Sequence, residues 1–355
     1  MIATSHKGAG ASFTSKRLAD AVGAILVPTD RSVISFGRDI FRHRSDLYHI
    51  QFEYRTFGGV ARSLTILPLL TAVLSSLGPV VVTLHGLVTE ASLRERHFKR
   101  LVHTAFRYSL RATGCFATAF VVHSEEMRKT AEGDYGLHHV SVIPLGSDPP
   151  PSGAGARPAT HRVVFFGFIR PEKGLNHLLR AIGQLRGAVP DIQLTIAGSV
   201  VRSRERGYLL GLQEQVQAEG LTKHVTFLTK FLSDGEIAEL MRDAAVLALP
   251  YTDRFVEVSA IVHHLAGFGV PLVCSKTPRF SELEDGVECL KATPEPDALA
   301  RGILRILTEP ALASSLSQGL LRRSKLDSWD HVAARHRDLY RELMRAWSPH
   351  HASAV

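Results

Sequence analysis

The chain has 355 residues, enough for two domains with separate hydrophobic cores. Hydrophobic residues make up 45% and charged residues 21%, as in ordinary globular chains, and no apolar run is long enough to span a bilayer. The net charge of +8 suits an acidic ligand, an anionic membrane surface or nucleic acid. With no zinc finger, RNP-type motif or basic zipper in the chain, no nucleic acid partner is expected. Cys115, Cys274 and Cys289 are scattered without metal spacing and read as buried thiols of a reducing compartment. The first residues lack the charged, apolar, small-residue order of a secretory signal, so a cytoplasmic location is expected.

Residues 5–12 form a glycine-rich loop carrying Gly8 and Gly10, followed by helical spacing over 13–22. The loop has the form of the first strand-to-helix turn of a nucleotide-binding domain with a short first strand. A flexible terminus has the same composition, and both readings stand. Strands are predicted at 24–28, 47–53, 80–84, 119–123 and 140–144, with helices near 60–75, 92–112 and 125–132. This alternation argues for a parallel sheet covered on both faces. Gln51 and Glu53 close one of these strands, and Thr83 and His85 close another. Ligands of open α/β sheets sit beyond the carboxyl ends of strands, which makes these residues site candidates. The competing reading of His85 is a satisfied histidine at a strand end.

Residues 92–112 are strongly basic, with Arg94, Arg96, Lys99, Arg100, Arg107 and Arg111 among apolar side chains. Such a helix lies on an anionic membrane or is a solvated face. Residues 144–158, rich in proline, glycine and small residues, read as a linker.

The second half opens on Val163-Val-Phe-Phe-Gly-Phe-Ile-Arg-Pro-Glu-Lys-Gly-Leu175. It reads as a buried strand, a turn at Gly167, two cations at Arg170 and Lys173, and a helix start. A strand-to-helix turn aims backbone N–H groups and a positive helix end at one spot, and two cations there suit a diphosphate. Further strands are predicted at 193–197, 225–228, 245–250 and 271–274. Helices are predicted near 209–219, 234–242, 259–267, 297–308, 310–322 and 329–347. Ser233 and Asp234 are N-cap candidates with Glu236 in the first turn.

Taken in order, Gly167-Phe-Ile-Arg-Pro-Glu-Lys-Gly174, Leu194-Thr-Ile-Ala-Gly198, Val246-Leu-Ala-Leu-Pro250 and Gly269-Val-Pro-Leu-Val273 resemble the retaining glycosyltransferase family 4, of GT-B fold. Val142-Ile-Pro-Leu-Gly-Ser-Asp148 resembles its interdomain segment. His49-Ile-Gln-Phe-Glu-Tyr54 and Thr83-Leu-His-Gly86 resemble the first domain of one branch. Ser328-Trp329 with Tyr340 resembles its last helix. The resemblance covers nearly the whole chain. It implies an α/β architecture of two Rossmann-like, doubly wound parallel-sheet domains facing a cleft. Residues 1–150 would bind the acceptor, 151–327 the nucleotide-sugar donor, and 328–355 would form a helix crossing back to the first domain.

The implied reaction moves a sugar from a nucleotide diphosphate to an acceptor hydroxyl with retention of configuration and without a metal or other cofactor. Arg170 and Lys173 would stabilise the charge that builds on the leaving diphosphate. Glu257 and His85 would meet the donor sugar, and Gly8, Gly10, Glu53 and His85 would line the acceptor side. The family pattern has two glutamates eight positions apart. Here the second position is His264, and the first is Val256 with Glu257 one residue off. Ser259-Ala260 resembles the Ser-Gly pair of branches lacking the second glutamate, and would face the phosphates with the first N–H groups of its helix. His264 either bonds a ribose hydroxyl or is a structural histidine. The missing glutamate leaves open a catalytically silent subunit that binds nucleotide and regulates or scaffolds a partner. A glycan, a lipid-linked sugar or a small natural product fits as acceptor. The basic segment allows peripheral contact with the inner face of the membrane.

Overall fold

The computed structural model describes residues 2–4, 10–28, 39, 42–93, 99–151, 160–200 and 203–347. The chain separates into two compact units, unit 1 of residues 1–146, 254–260 and 327–355, and unit 2 of residues 147–253 and 261–326.

Unit 1 begins with strands β1 (Ile2–Thr4), β2 (Leu26–Pro28), β3 (Tyr48–Phe52), β4 (Val80–Leu84), β5 (Gly86–Leu87), β6 (Ala119–Val122) and β7 (Val140–Val142). All but β5 form one sheet in the order β2-β1-β3-β4-β6-β7, with every neighbouring pair parallel. Its helices are α1 (Gly10–Val22), α2 (Val60–Ser75), α3 (Lys99–Gly114) and α4 (Glu125–Gly133). All residues of β4 are buried, as a parallel strand covered on both faces requires. Successive side chains alternate between the faces. Val80, Val82 and Leu84 pack with Leu67 and Leu74 of α2, Phe106 and Leu110 of α3 and Met127 of α4. Val81 and Val121 pack instead with Leu18 and Ala19 of α1 and with Val332 from the end of the chain. Ser124 caps α4 by accepting from Met127 N–H at 3.2 Å.

Unit 2 contains β8 (Arg162–Phe166), β9 (Gln193–Ala197), β10 (Val225–Leu228) and β11 (Val246–Leu249). After β11 comes β12 (Val256–Glu257), which belongs to unit 1 and pairs antiparallel with β5. Then follow β13 (Leu272–Ser275) and β14 (Leu290–Ala292) of unit 2. The second sheet runs β10-β9-β8-β11-β13-β14 and is parallel throughout. The later helices are α5 (Leu175–Leu185), α6 (Ser203–Ala218), α7 (Asp234–Arg242), α8 (Ala260–Leu265), α9 (Pro296–Thr308), α10 (Pro310–Leu326) and α11 (Trp329–Ala346). The apolar stripe of α5 is fully turned to the core through Leu175, Leu178, Leu179, Ala181, Ile182 and Leu185. Ser233 and Glu236 close the capping box of α7. Helix α11 lies in unit 1, where Trp329 and Tyr340 join the cluster around Val81.

The elements depart from the sequence expectation in three respects. Strands β5, β12 and β14 are too short for a period-2 pattern to register. The helix expected over 259–267 is α8 followed by a 3₁₀ turn at Ala266–Phe268. Cys274 and Cys289 are buried as expected, but Cys115 is exposed, because it follows α3 at the surface.

Candidate functional site

In unit 2 the first strand, β8, lies between β9 and β11, so the strand order reverses at the β8–β11 boundary. Crevices at such reversals, past the carboxyl ends of the strands, are where open α/β sheets bind ligands. The loop leaving β8 carries Gly167, Arg170 and Lys173. Gly167 and Gly198 close β8 and β9 in near contact: a Cβ on Gly198 would lie 1.8 Å from the Gly167 carbonyl oxygen. Gly174 has φ 67° and would place a Cβ 2.0 Å from the Pro250 oxygen, so the loop is pressed against the segment leaving β11. Thr252 N–H donates to Glu172 O at 3.0 Å across the same contact.

Both cations are held. Arg170 Nε lies 3.2 Å from the buried Glu205 carboxylate, and its guanidinium stacks over Phe168 at 4.9 Å. Lys173 Nζ sits 3.6 Å from the centroid of the buried Tyr251 ring. Arg279 lies over the same ring at 5.4 Å and donates to both Asp253 carboxylate oxygens at 2.9 Å. His264 approaches from α8. Its Nδ1 is 2.9 Å from Asp148 Oδ2, and its ring centroid is 6.4 Å from that of Phe166 at the end of β8.

Unit 1 gathers polar side chains of β3 and β4 with His85 and His123, which follow β4 and β6. His85 Nε2 lies 2.7 Å from Gln51 Oε1, and His85 Nδ1 lies 3.2 Å from His123 Nε2. His49 bridges Tyr340 Oη and Thr83 Oγ1, each at 2.6 Å. Burial holds the His49 and His85 imidazoles well below their ordinary range, with neighbouring histidines adding to the effect. Burial lowers His123 and His336 to about 4 each. Gln51, Thr83, His85, His123, Trp329 and His336 share one small cavity. A Cβ on Gly86 would lie 2.9 Å from Glu257 Oε2, so the pairing of β5 with β12 sets Glu257 beside the residue after His85. Tyr54 Oη donates to Gly86 O at 2.6 Å from the other direction.

The residues singled out in the sequence therefore fall into two groups. Gly167, Arg170, Lys173 and His264 come together in unit 2. His85 and Glu257 come together in unit 1, which also holds Ser259 and Ala260, with Ser259 buried. Gly10 heads α1, and Gly8 lies outside the described residues. Sequence reasoning missed Glu205, Tyr251, Asp253, Asp148 and His123. Only His123 carried a signal, a polar residue closing β6 as His85 closes β4.

Two doubly wound parallel sheets, each with polar or cationic groups gathered past its strand ends, define the class: an α/β protein of GT-B fold. A family model described as Glycosyl transferases group 1 matches residues 155–320, and one described as Glycosyltransferase Family 4 matches residues 30–150. Glycosyltransferase family models thus match both halves of the chain. It is 26% identical over 190 residues to the D-inositol 3-phosphate glycosyltransferase of a Nocardioides species, covering 50% of this chain and 41% of that protein. It is 26% identical over 283 residues to the glycogen synthase of Mycobacterium tuberculosis, covering 74% of this chain and 63% of that protein. The matched stretch is thus less than two thirds of either relative. Among solved structures, Anabaena HepE in complex with UDP has a TM-score of 0.74 at 17% identity, covering 96% of this chain and 99% of that one. Sucrose-phosphate synthase from Thermosynechococcus elongatus has a TM-score of 0.71 at 21% identity, covering 89% and 78%. At these identities the likeness establishes the fold.

Proposed function

We propose that this protein transfers a sugar from a nucleotide-diphosphate sugar to an acceptor hydroxyl, with retention of configuration and without a metal ion. The observation that carries this reading is the placement of Arg170 and Lys173 at the reversal of strand order in unit 2. There, pre-positioned cations stabilise the diphosphate more as its charge develops than in the bound donor. Their charge takes the part that a divalent cation plays in other phosphate chemistry, and no further cofactor is invoked. The solved complex of Anabaena HepE with UDP-glucose, on the same fold, supports a nucleotide-sugar donor. Unit 2 is assigned the donor and unit 1 the acceptor. His85 and Glu257 meet the transferred sugar, with Gly10 and Glu53 on the acceptor side. His264, oriented by Asp148, is assigned to the ribose in place of the absent glutamate, and Ser259 and Ala260 to the approach of the phosphates.

The acceptor is assigned to glycans, lipid-linked sugars or small natural products. The relatives support this range, one being named a GDP-mannose-dependent phosphatidylinositol monomannoside mannosyltransferase and another a 2-deoxystreptamine glucosyltransferase. No helix among the described residues is long and apolar enough to cross a membrane. Leu101 and Tyr108 of α3 are 67% and 69% exposed near Arg100 and Arg111, which supports peripheral contact with an anionic membrane from a cytoplasmic location.

A screen of nucleotide sugars by thermal shift, with mass analysis of products on mixed acceptors, tests the reading. One donor is expected to stabilise the chain and to yield a conjugate one sugar heavier. Nucleotide binding with no turnover of any donor, or an epimerised donor with no conjugate, would overturn it.

A further inference from the structure

Tyr340 of α11, His49 and Gln51 of β3, and His85 and His123, which follow β4 and β6, form an unbroken hydrogen-bonded row. Tyr340 Oη lies 2.6 Å from His49 Nδ1, and His49 Nε2 lies 3.1 Å from the Gln51 amide. The other end of that amide is 2.7 Å from His85 Nε2. His85 Nδ1 is 3.2 Å from His123 Nε2, and His123 Nδ1 is 2.9 Å from the Ile143 carbonyl oxygen. The last link sets the proton order of the rest. A carbonyl only accepts, so His123 keeps its proton on Nδ1 and donates it to Ile143. His123 is buried and neutral near pH 7, which leaves only a lone pair on its Nε2. The His85 nitrogen facing that lone pair, Nδ1, must therefore be the protonated one.

A neutral His85 then has a lone pair on Nε2. The amide group facing it must be N–H, because a carbonyl oxygen there would set two lone pairs against each other. This order turns the Gln51 amide end for end relative to the placement with Oε1 toward His85; the two ends have nearly the same shape and exchange by a half-turn. The Gln51 oxygen and Thr83 Oγ1, the latter 2.6 Å from His49 Nε2, then accept from His49, and His49 Nδ1 accepts from Tyr340. Each link of the row then joins one donor to one acceptor.

We propose that His123 is a positioning residue for His85: held by the Ile143 carbonyl, it keeps His85 neutral with its proton on Nδ1 and a lone pair on Nε2. This rests on the reading of His85 as a residue that meets the sugar. That lone pair accepts from the Gln51 amide, so the row fixes both the protonation and the orientation of the ring that the sugar meets.

The test is long-range proton–nitrogen NMR at pH 7.5 on the full chain labelled with ¹⁵N at histidine, with the His85 signals identified by their loss in His85→Gln. Nδ1 of His85 is expected to be of the protonated type and Nε2 of the lone-pair type. In His123→Leu the proton is expected to redistribute toward Nε2, with kcat reduced on the order of 10–100-fold and KM changed less. Gln51→Glu, whose carboxylate only accepts, is expected to protonate both nitrogens of His85, and it carries the test together with the wild type if His123→Leu does not fold. A wild-type His85 protonated on Nε2, or on both nitrogens, overturns the proposal, as does an unchanged proton position in His123→Leu. The NMR readout needs no turnover, so loss of the sugar-transfer reading and loss of this one are separate results.

Discussion

Lys173 is half-buried, and its ammonium rests on the face of the Tyr251 ring, a contact worth about 0.5–1 kcal/mol at a partly open site. Lys173→Ala is therefore expected to leave the melting temperature within a degree or two while lowering kcat about 10²–10³-fold, the usual cost of removing one stabiliser of developing charge. Full turnover in that variant would remove Lys173 from the mechanism. Arg170 differs because its partner is the buried Glu205. Glu205→Gln is expected to release the guanidinium and weaken donor binding more than kcat, which a KM and kcat comparison checks. Arg170, Lys173 and His85 were legible in the sequence because each follows a strand within a few residues, so local pattern places them. Asp148 was not, since it meets His264 across 116 residues of sequence, and no local periodicity encodes such a meeting. The position of Glu257 was legible only in part. Its identity was visible, but the two-residue strand that sets it beside Gly86 was not.

At the scale of elements, the long apolar strands and the amphipathic α5 were readable, because burial on both faces or on one stripe leaves a pattern over many residues. What the pattern does not show is the close approach of backbone segments. Gly174→Ala must clear the Pro250 carbonyl and also hold a left-handed φ of 67°. A loss of about 2–4 kcal/mol is expected, with donor binding falling in parallel, and urea titration of the variant measures it. Gly146→Ala makes a different test, since its Cβ would lie 2.3 Å from the Trp329 ring. It should loosen α11 in unit 1, seen as a shifted tryptophan fluorescence, while unit 2 is unaffected. A variant of wild-type stability and spectrum would show that the ring has room to move.

At the scale of the whole molecule, the two units bury ionisable groups of opposite pH sense. Histidines in an unfolded chain take up protons near pH 6.5, whereas His123 and His336 in folded unit 1 do so only at about 4. Between these values the unfolded state binds more protons, so stability falls as pH falls, by about 1.4 kcal/mol per pH unit for each histidine, and the effect is absent above pH 6.5. Burial raises Glu282 in unit 2 from 4.5 to about 8, so there the folded state holds the extra proton and stability falls as pH rises through that window. Glu282→Gln is expected to raise the melting temperature at pH 8 and leave it unchanged at pH 4; equal values at pH 8 in calorimetry would count against a buried neutral carboxyl. Neither unit is a single run of sequence. Unit 1 takes in residues 254–260 and everything from 327 onward, so on the ribosome its first 146 residues emerge with one sheet face covered only in part, by α1. Leu18, Val81 and Val121 must wait for Val332 and Trp329, which arrive about 200 residues later, on the order of 10–40 s at ordinary elongation rates. Chains released early by a premature stop would carry that apolar face into solution, and should be among the first products that chaperones and proteases collect.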